Sequence, residues 1–327
     1  MYIKILYHKQ KMSYITNDDT IIFNSEFNEE IDTKLIFGYK KLIFSNYDLD
    51  EKLFECYANN NFNGLEYKMN KFDKDVSKLP HGITHLIFGH WFNQNVSKLT
   101  HGITHLTFGN YFNQDVSFLP PFLTHLTFGS RFNQDVSALP PFLTHLTFGY
   151  FFNQDVSKLP HSLTHLIFGL DFNRDISNLP SSLTHLTFGN CFNQDASVLP
   201  PLLTHLIFGT HFNKQCNVPP NVKHLRLNCN NLYIINSLPN SVAELELGSD
   251  FNLELNNLPT SIKILRIYKY SDYNMDLNCL PDFIEELHLN KYYKKRILHI
   301  PHNLKKIVCH KDYPYKDNFA LHDIEIY

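Results

Sequence analysis

The segment ITHLIFGHWFNQNVSKL, Ile83 to Leu99, carries two histidines, the chain's only tryptophan and an amide-rich FNQN. Read alone, it could line a catalytic pocket. Twenty residues on, ITHLTFGNYFNQDVSFL restates it, from Ile103 to Leu119. Phe72, Phe92, Phe112, Phe132, Phe152, Phe172, Phe192 and Phe212 fall 20 apart, and so do the histidines from His85 to His205. The unit FNQDVSxLPxxLTHLxFGxx runs seven times from Phe72 to His211 without an insertion or deletion. A fixed period of this length marks a stacked repeat. His85 is one of seven equivalents, which argues against a unique catalytic role.

Thr84 to Phe88 alternates in character. Leu86 and Phe88 share one face, His85 and Ile87 the other, as in a strand. Gly89 suits a bend into a non-strand conformation. Phe92, Val96, Leu99 and Ile103 supply further apolar anchors. Pro120 and Pro140 deny a ladder hydrogen bond, so the return is an arc of turns or 3-10 pieces. One coil cannot bury its own Leu and Phe, whereas stacked coils can. Looser copies place Leu225, Leu245, Leu265, Leu287 and Ile307 in the Leu86 role on one side, and Leu42 and Leu65 on the other.

The expected fold is an α/β-type repeat solenoid, leucine-rich-repeat-like, with short parallel strands, turn or 3-10 returns, and about 11–12 coils of 20–23 residues. Residues 1–34 read as an N-terminal cap or irregular segment and 35–71 as degenerate repeats. The regular repeats span 72–211, degenerate C-terminal repeats 212–309, and a tail or cap 310–327. The chain beyond about residue 35 thus reads as one solenoid and not two globular domains. DLDEKLFECYANN suggests one short helix, capped by Asp48 or Asp50.

With 327 residues, 43% of them hydrophobic, a large core is available. A formal net charge of -3 creates no global attraction for nucleic acid or acidic membrane. The six cysteines form no close CxxC pair, which fits neither a disulfide framework nor a zinc site and points to a reducing compartment. The N-terminus shows no signal peptide, and no stretch approaches the roughly 18 apolar residues of a membrane helix. No membrane association and an intracellular location are expected.

The motif FNQ…LPxxLTHLxFG resembles the FNIP repeat, a relative of the leucine-rich repeat. The likeness is strong over Phe72–His211 and fades toward both ends. It keeps the Phe-Asn pair and then departs, with FNQD or FNQN. The resemblance implies a source among social amoebae or giant viruses, with the host cytoplasm as location if viral. It also implies protein binding, with no enzymatic site and no cofactor. Some giant-virus proteins of this kind carry an N-terminal F-box, which would imply a substrate-binding subunit of a ubiquitin-ligase-type complex. Residues 1–60 lack the Leu-Pro start of that module, because the first proline is Pro80, so only a diverged docking segment fits.

The candidate partner-binding face consists of His85, His105, His125, His145, His165, His185 and His205 beside Ile87, Thr107, Thr127, Thr147, Ile167, Thr187 and Ile207. His90 and Trp91 are added as the residues that break the pattern of their coil. A non-enzymatic protein-interaction scaffold is the expected function. The partner is unidentified, and is a host protein if the source is viral. The competing reading of the histidine row is structural, as stacked imidazoles left by tandem duplication. Metal binding is disfavoured because no carboxylate or cysteine row stands beside it.

Asn93 to Asn213 are expected to bond backbone groups of their own and adjacent coils. Asp75, Asp115, Asp135, Asp155, Asp175 and Asp195, with Asn95 interrupting, are expected to cap turns through backbone N–H groups. The run NKYYKKRILHI, Asn290 to Ile300, with Lys305, Lys306 and Lys311, mixes Tyr with basic residues and carries the nucleic-acid alternative; a solvated cap is the preferred reading. No nucleophile-elbow, Walker, Rossmann or HExxH pattern occurs, so no enzyme is expected.

Overall fold

A computed structural model describes residues 7–8, 11–49, 52–320 and 323–327. The chain divides into two compact units, Met1–Leu163 and Thr164–Tyr327.

In the first unit, β1 (Tyr7–His8) and β2 (Lys11–Met12) form an antiparallel pair. β3 (Tyr14–Thr16) pairs antiparallel with β4 (Thr20–Phe23), which pairs parallel with β5 (Lys41–Phe44). Then follow β6 (His85–Ile87), β7 (His105–Thr107), β8 (His125–Thr127) and β9 (His145–Thr147), each parallel to the one before. The register sets Leu42, Leu86, Leu106, Leu126 and Leu146 in one buried line.

The second unit stacks β10 (His165–Ile167), β11 (His185–Thr187), β12 (His205–Phe208), β13 (His224–Leu227) and β14 (Glu244–Leu247). It continues with β15 (Ile264–Ile267), β16 (Glu286–His288), β17 (Lys306–Cys309) and β18 (Asp323–Ile326), all parallel. Leu225, Leu245, Leu265, Leu287 and Ile307 hold the positions expected of them. The architecture is therefore a β-solenoid of short parallel strands with turn returns, of the leucine-rich-repeat type.

The core is built from aromatic columns. Within a coil, Phe88 stacks on Phe92 at 3.6 Å and Phe128 on Phe132 at 3.7 Å. Between coils, Phe112 and Phe132 lie 6.1 Å apart. All of these rings are buried. The return closes through three-residue steps such as Leu119 N–H to Val116 O and Leu123 N–H to Pro120 O.

Several expectations change. Leu65 does not form a rung, because β5 pairs directly with β6 through Leu42 and Leu86. The intervening chain leaves the ladder to form α1 (Leu53–Asn59), and Leu65 packs against the apolar cluster around Leu53. The chain rejoins the stack at buried Asn70, whose Nδ2 donates to Asn24 O and Ser45 O. The α1 N-cap is Lys52, without a side-chain capping bond, and not Asp48; Asp50 lies outside the described residues. Within 1–34, β4 is a full rung with Ile21, Ile22 and Phe23 buried. The tail 310–327 supplies one more rung, β18. Gly109 and Gly129 do not adopt positive φ; a Cβ on Gly129 would sit 2.1 Å from Gly109 O. These glycines permit close backbone approach between coils, which a bend alone does not require.

Candidate functional site

The strand face carries two rows per unit. In the first unit His85, His105, His125 and His145 stand beside Ile87, Thr107, Thr127 and Thr147, all half-buried. In the second, His165, His185 and His205 stand beside Ile167, Thr187 and Ile207. The strand alternation that buries Leu106 and Phe108 presents these rows outward.

The imidazoles stack face to face. Ring centroids are 4.1 Å apart for His85 and His105, and 4.2 Å for His105 and His125. In the second unit His185 and His205 lie 4.0 Å apart, and the row extends to His224 at 4.2 Å. Each Nδ1 lies 2.9 Å from the hydroxyl of the preceding threonine, as in Thr104–His105 and Thr124–His125. Those hydroxyls also reach the previous coil's carbonyl, Thr104 Oγ1 to Thr84 O at 3.2 Å and Thr124 Oγ1 to Thr104 O at 3.1 Å. A hydroxyl has one proton. Both contacts are satisfied when Thr donates to the carbonyl and His Nδ1–H donates to Thr. This arrangement leaves Nε2 of each ring as the acceptor. The threonine column was not read from the sequence as a functional element, although Thr precedes His in all seven units.

Burial lowers the titration of His85, His105, His165 and His205 below the usual imidazole value. Lys41 adds to this at His85, and His85 and His145 add to it at His105. Asp19 opposes it at His85 in the first unit and Glu244 at His205 in the second. Unfolded imidazoles titrate near 6.5, so below that pH the unfolded chain binds more protons than the folded one. The stability contributed by neutral histidines is complete above about pH 6.5 and declines as pH falls below it. The melting temperature is expected to drop by several degrees between about pH 7.5 and about pH 5. Replacing His105 and His165 by Asn should flatten the curve. A wild-type melting temperature that does not change with pH refutes the effect.

The remaining columns are structural brackets. Asn113 N–H donates to Asn93 Oδ1 and Asn133 N–H to Asn113 Oδ1, both at 2.9 Å. Gln114 and Gln134 add side-chain bonds to the same asparagines. Asp115 and Asp135 accept from the hydroxyls of Ser117 and Ser137 and from the backbone N–H groups of the same serines, and these bonds, the hydroxyl bond foremost, hold the carboxyls below the usual range. Asn95 makes the same bond to Ser97, so the turn does not need the charge.

The pattern-breaking pair separates. His90 is buried, with Nδ1 2.9 Å from Tyr67 Oη, and does not belong to an exposed surface. Trp91 is exposed and packs its ring 4.0 Å from Tyr111. Arg131 lies 3.9 Å over the Tyr111 ring, and exposed Phe151 occupies the next coil's equivalent position. Trp, Tyr and Arg are the residues that dominate interface energetics. The variable turn positions therefore form a column that sequence reading found only at Trp91.

In the second unit the neutral rows give way to charge. Arg226 pairs with Glu246 at 3.2 Å, and Arg266 with Glu244 at 2.6 Å. In the basic C-terminal run Tyr293 is buried, Lys291 lies 5.6 Å over the ring of exposed Tyr292, and Lys305 and Lys306 pair with Glu285 and Glu325. Among the described residues no group of three or more His, Cys, Asp or Glu is arranged to hold a metal ion. No helix among them is long and apolar enough to cross a membrane.

The model of the FNIP repeat matches residues 115–151, 135–171, 152–191, 212–250 and 230–270. The chain is an FNIP-type, leucine-rich-repeat-like solenoid. The chain is 32% identical to the giant-virus protein CroV588, described as a circular leucine-rich-repeat structure, with a TM-score of 0.63. That match covers 90% of the chain but spans only half, 50%, of CroV588. The functional domain of InlJ from Listeria monocytogenes shares the fold, at 17% identity and a TM-score of 0.53, over 89% of this chain and 67% of its own. No curated protein matches the chain.

Proposed function

We propose that the chain is a non-enzymatic scaffold that binds a protein partner along the strand face. The observation that carries this reading is the presentation of like, uncharged side chains on successive rungs: His105, Thr107, His125, Thr127, His145 and Thr147 in the first unit. An active site focuses unlike residues at one place, whereas repeat solenoids bind through extended surfaces. Trp91, Tyr111 and Arg131 border this face and supply its anchoring chemistry.

The ubiquitin-ligase reading has no specific support. Residues 14–23 and 41–44 continue the ladder as strands, and α1 packs on the apolar cluster of Ile15, Ile22 and Ile43.

The test compares proteins retained by the wild-type chain, by His125→Glu/Thr127→Glu/His145→Glu, and by Ala138→Glu at an exposed return position. The face variant should keep its circular dichroism spectrum and lose the specific partner, while Ala138→Glu retains it. Equal retention by all three would sink the proposed surface.

A further inference from the structure

The strand face of the first unit does not run out openly at its N-terminal end. α1 packs on it there, and a pocket of about 380 Å³ lies beside that helix. Its floor is two rows of the face: Thr20, Lys41 and His85 in one, Ile22, Ile43 and Ile87 in the other. Phe54, Tyr57 and Ala58 of α1 make one wall, and Asn17 and Asp19 of the β3–β4 turn contribute to the rim. His85 and Ile87 belong both to the pocket and to the rows of the proposed docking face.

We propose that this pocket anchors a tryptophan-like side chain of the partner, a flat apolar group carrying one N–H donor. The inference rests on the reading of the strand face as a docking surface, and narrows it to one contact.

The volume lies within the range of preformed small-ligand sites and exceeds what a single aliphatic side chain fills. Ile22, Ile43, Ile87 and Phe54 give an apolar lining with an aromatic side. The polar groups select within that class. Thr84 Oγ1 lies 3.3 Å from Lys40 O and 2.9 Å from His85 Nδ1. With its proton on the carbonyl, it takes the Nδ1–H and leaves His85 Nε2 as an acceptor. Asp19 is already engaged, by Thr20 Oγ1 at 2.6 Å and by Lys41 at 3.4 Å. A cationic guest would meet Lys41 as well as Asp19, and an anionic guest the reverse. A neutral guest with a single donor meets neither conflict, and can use the His85 acceptor.

The test needs no partner. N-acetyl-tryptophanamide is titrated into the full chain while the isoleucine δ-methyl signals of Ile22, Ile43 and Ile87 are followed by NMR. Saturable shifts with a dissociation constant of about 0.1–1 mM are expected for a probe of this size. N-acetyl-3-benzothienylalaninamide, in which sulfur replaces the indole N–H, should bind about three-fold or more weakly. Ala58→Trp, a change at an exposed helix position, should fill the pocket and abolish the shifts. The variant His125→Glu/Thr127→Glu/His145→Glu should leave them intact, so loss of the docking face and loss of the pocket are read separately. Absence of saturable shifts, equal affinity for the two probes, or unchanged binding by Ala58→Trp would each overturn the proposal.

Discussion

Gly129→Ala is expected to destabilise the first unit by about 2–3 kcal/mol, although it adds a single methyl group. An alanine Cβ at this position meets Gly109 O at 2.1 Å, Gly109 C at 2.4 Å and Asn110 Cα at 2.7 Å. All three are backbone atoms, so no rotamer change relieves the clash. The two coils must separate locally, which lengthens ladder bonds such as Arg131 N–H to Asn110 O, now 2.9 Å. Conformational strain is not the cause, because Gly129 has no positive φ. Gly82→Ala separates the two explanations. Gly82 also lacks a positive φ, and a Cβ there meets nothing within 4 Å. That change should be neutral or stabilise by up to about 1 kcal/mol, by reducing unfolded-chain entropy. Urea unfolding of both variants checks the contrast. Similar effects at the two sites would remove close approach as the reason for the glycine column.

The same glycine shows where sequence reading stops. A bend and a close backbone approach both select glycine, so the letter alone cannot choose between them. The rungs were legible because the period is strict and Leu86 and Phe88 alternate with His85 and Ile87. The asparagine bracket was legible because a polar residue beside a buried Phe needs partners, and the adjacent coil supplies them. Leu65 misled because its apolar neighbours imitate a rung, whereas the segment around α1 has lost the repeat phase. His90 misled because its position varies between coils, which resembles exposure; its burial against Tyr67 arises from that same non-repeating excursion. The pocket beside α1 was invisible in the sequence. Asp19, Lys41, Tyr57 and His85 belong to four separate segments, brought together by the pairing of β4 with β5, the direct pairing of β5 with β6 and the packing of α1.

Phe132→Ala should carry the largest single-residue cost, about 3–5 kcal/mol. The ring is fully buried, lies 3.7 Å from Phe128, and has Phe112 and Phe152 as its column neighbours. Alanine leaves a cavity that these stacked rings cannot close without breaking their own contacts. Phe142→Ala is the matched control, because Phe142 is 57% exposed and only loosely stacked on Phe122 at 6.2 Å. Its cost should stay within about 0.5 kcal/mol, as for ordinary surface changes. A globular core would spread the Phe132 cavity's cost through the whole cooperative unit. A stack of coils has only nearest-neighbour interfaces, so the loss should concentrate in the coils that touch the cavity. Amide exchange read coil by coil is therefore the decisive measurement. Protection should fall at Leu126 and Leu146, whose strands flank the cavity, and persist at Leu42 and Leu86, several rungs away. Uniform loss of protection across these four positions would mean that the first unit unfolds as a single block. The stacked-coil account of its stability would then fail, even with every distance in the Phe columns unchanged.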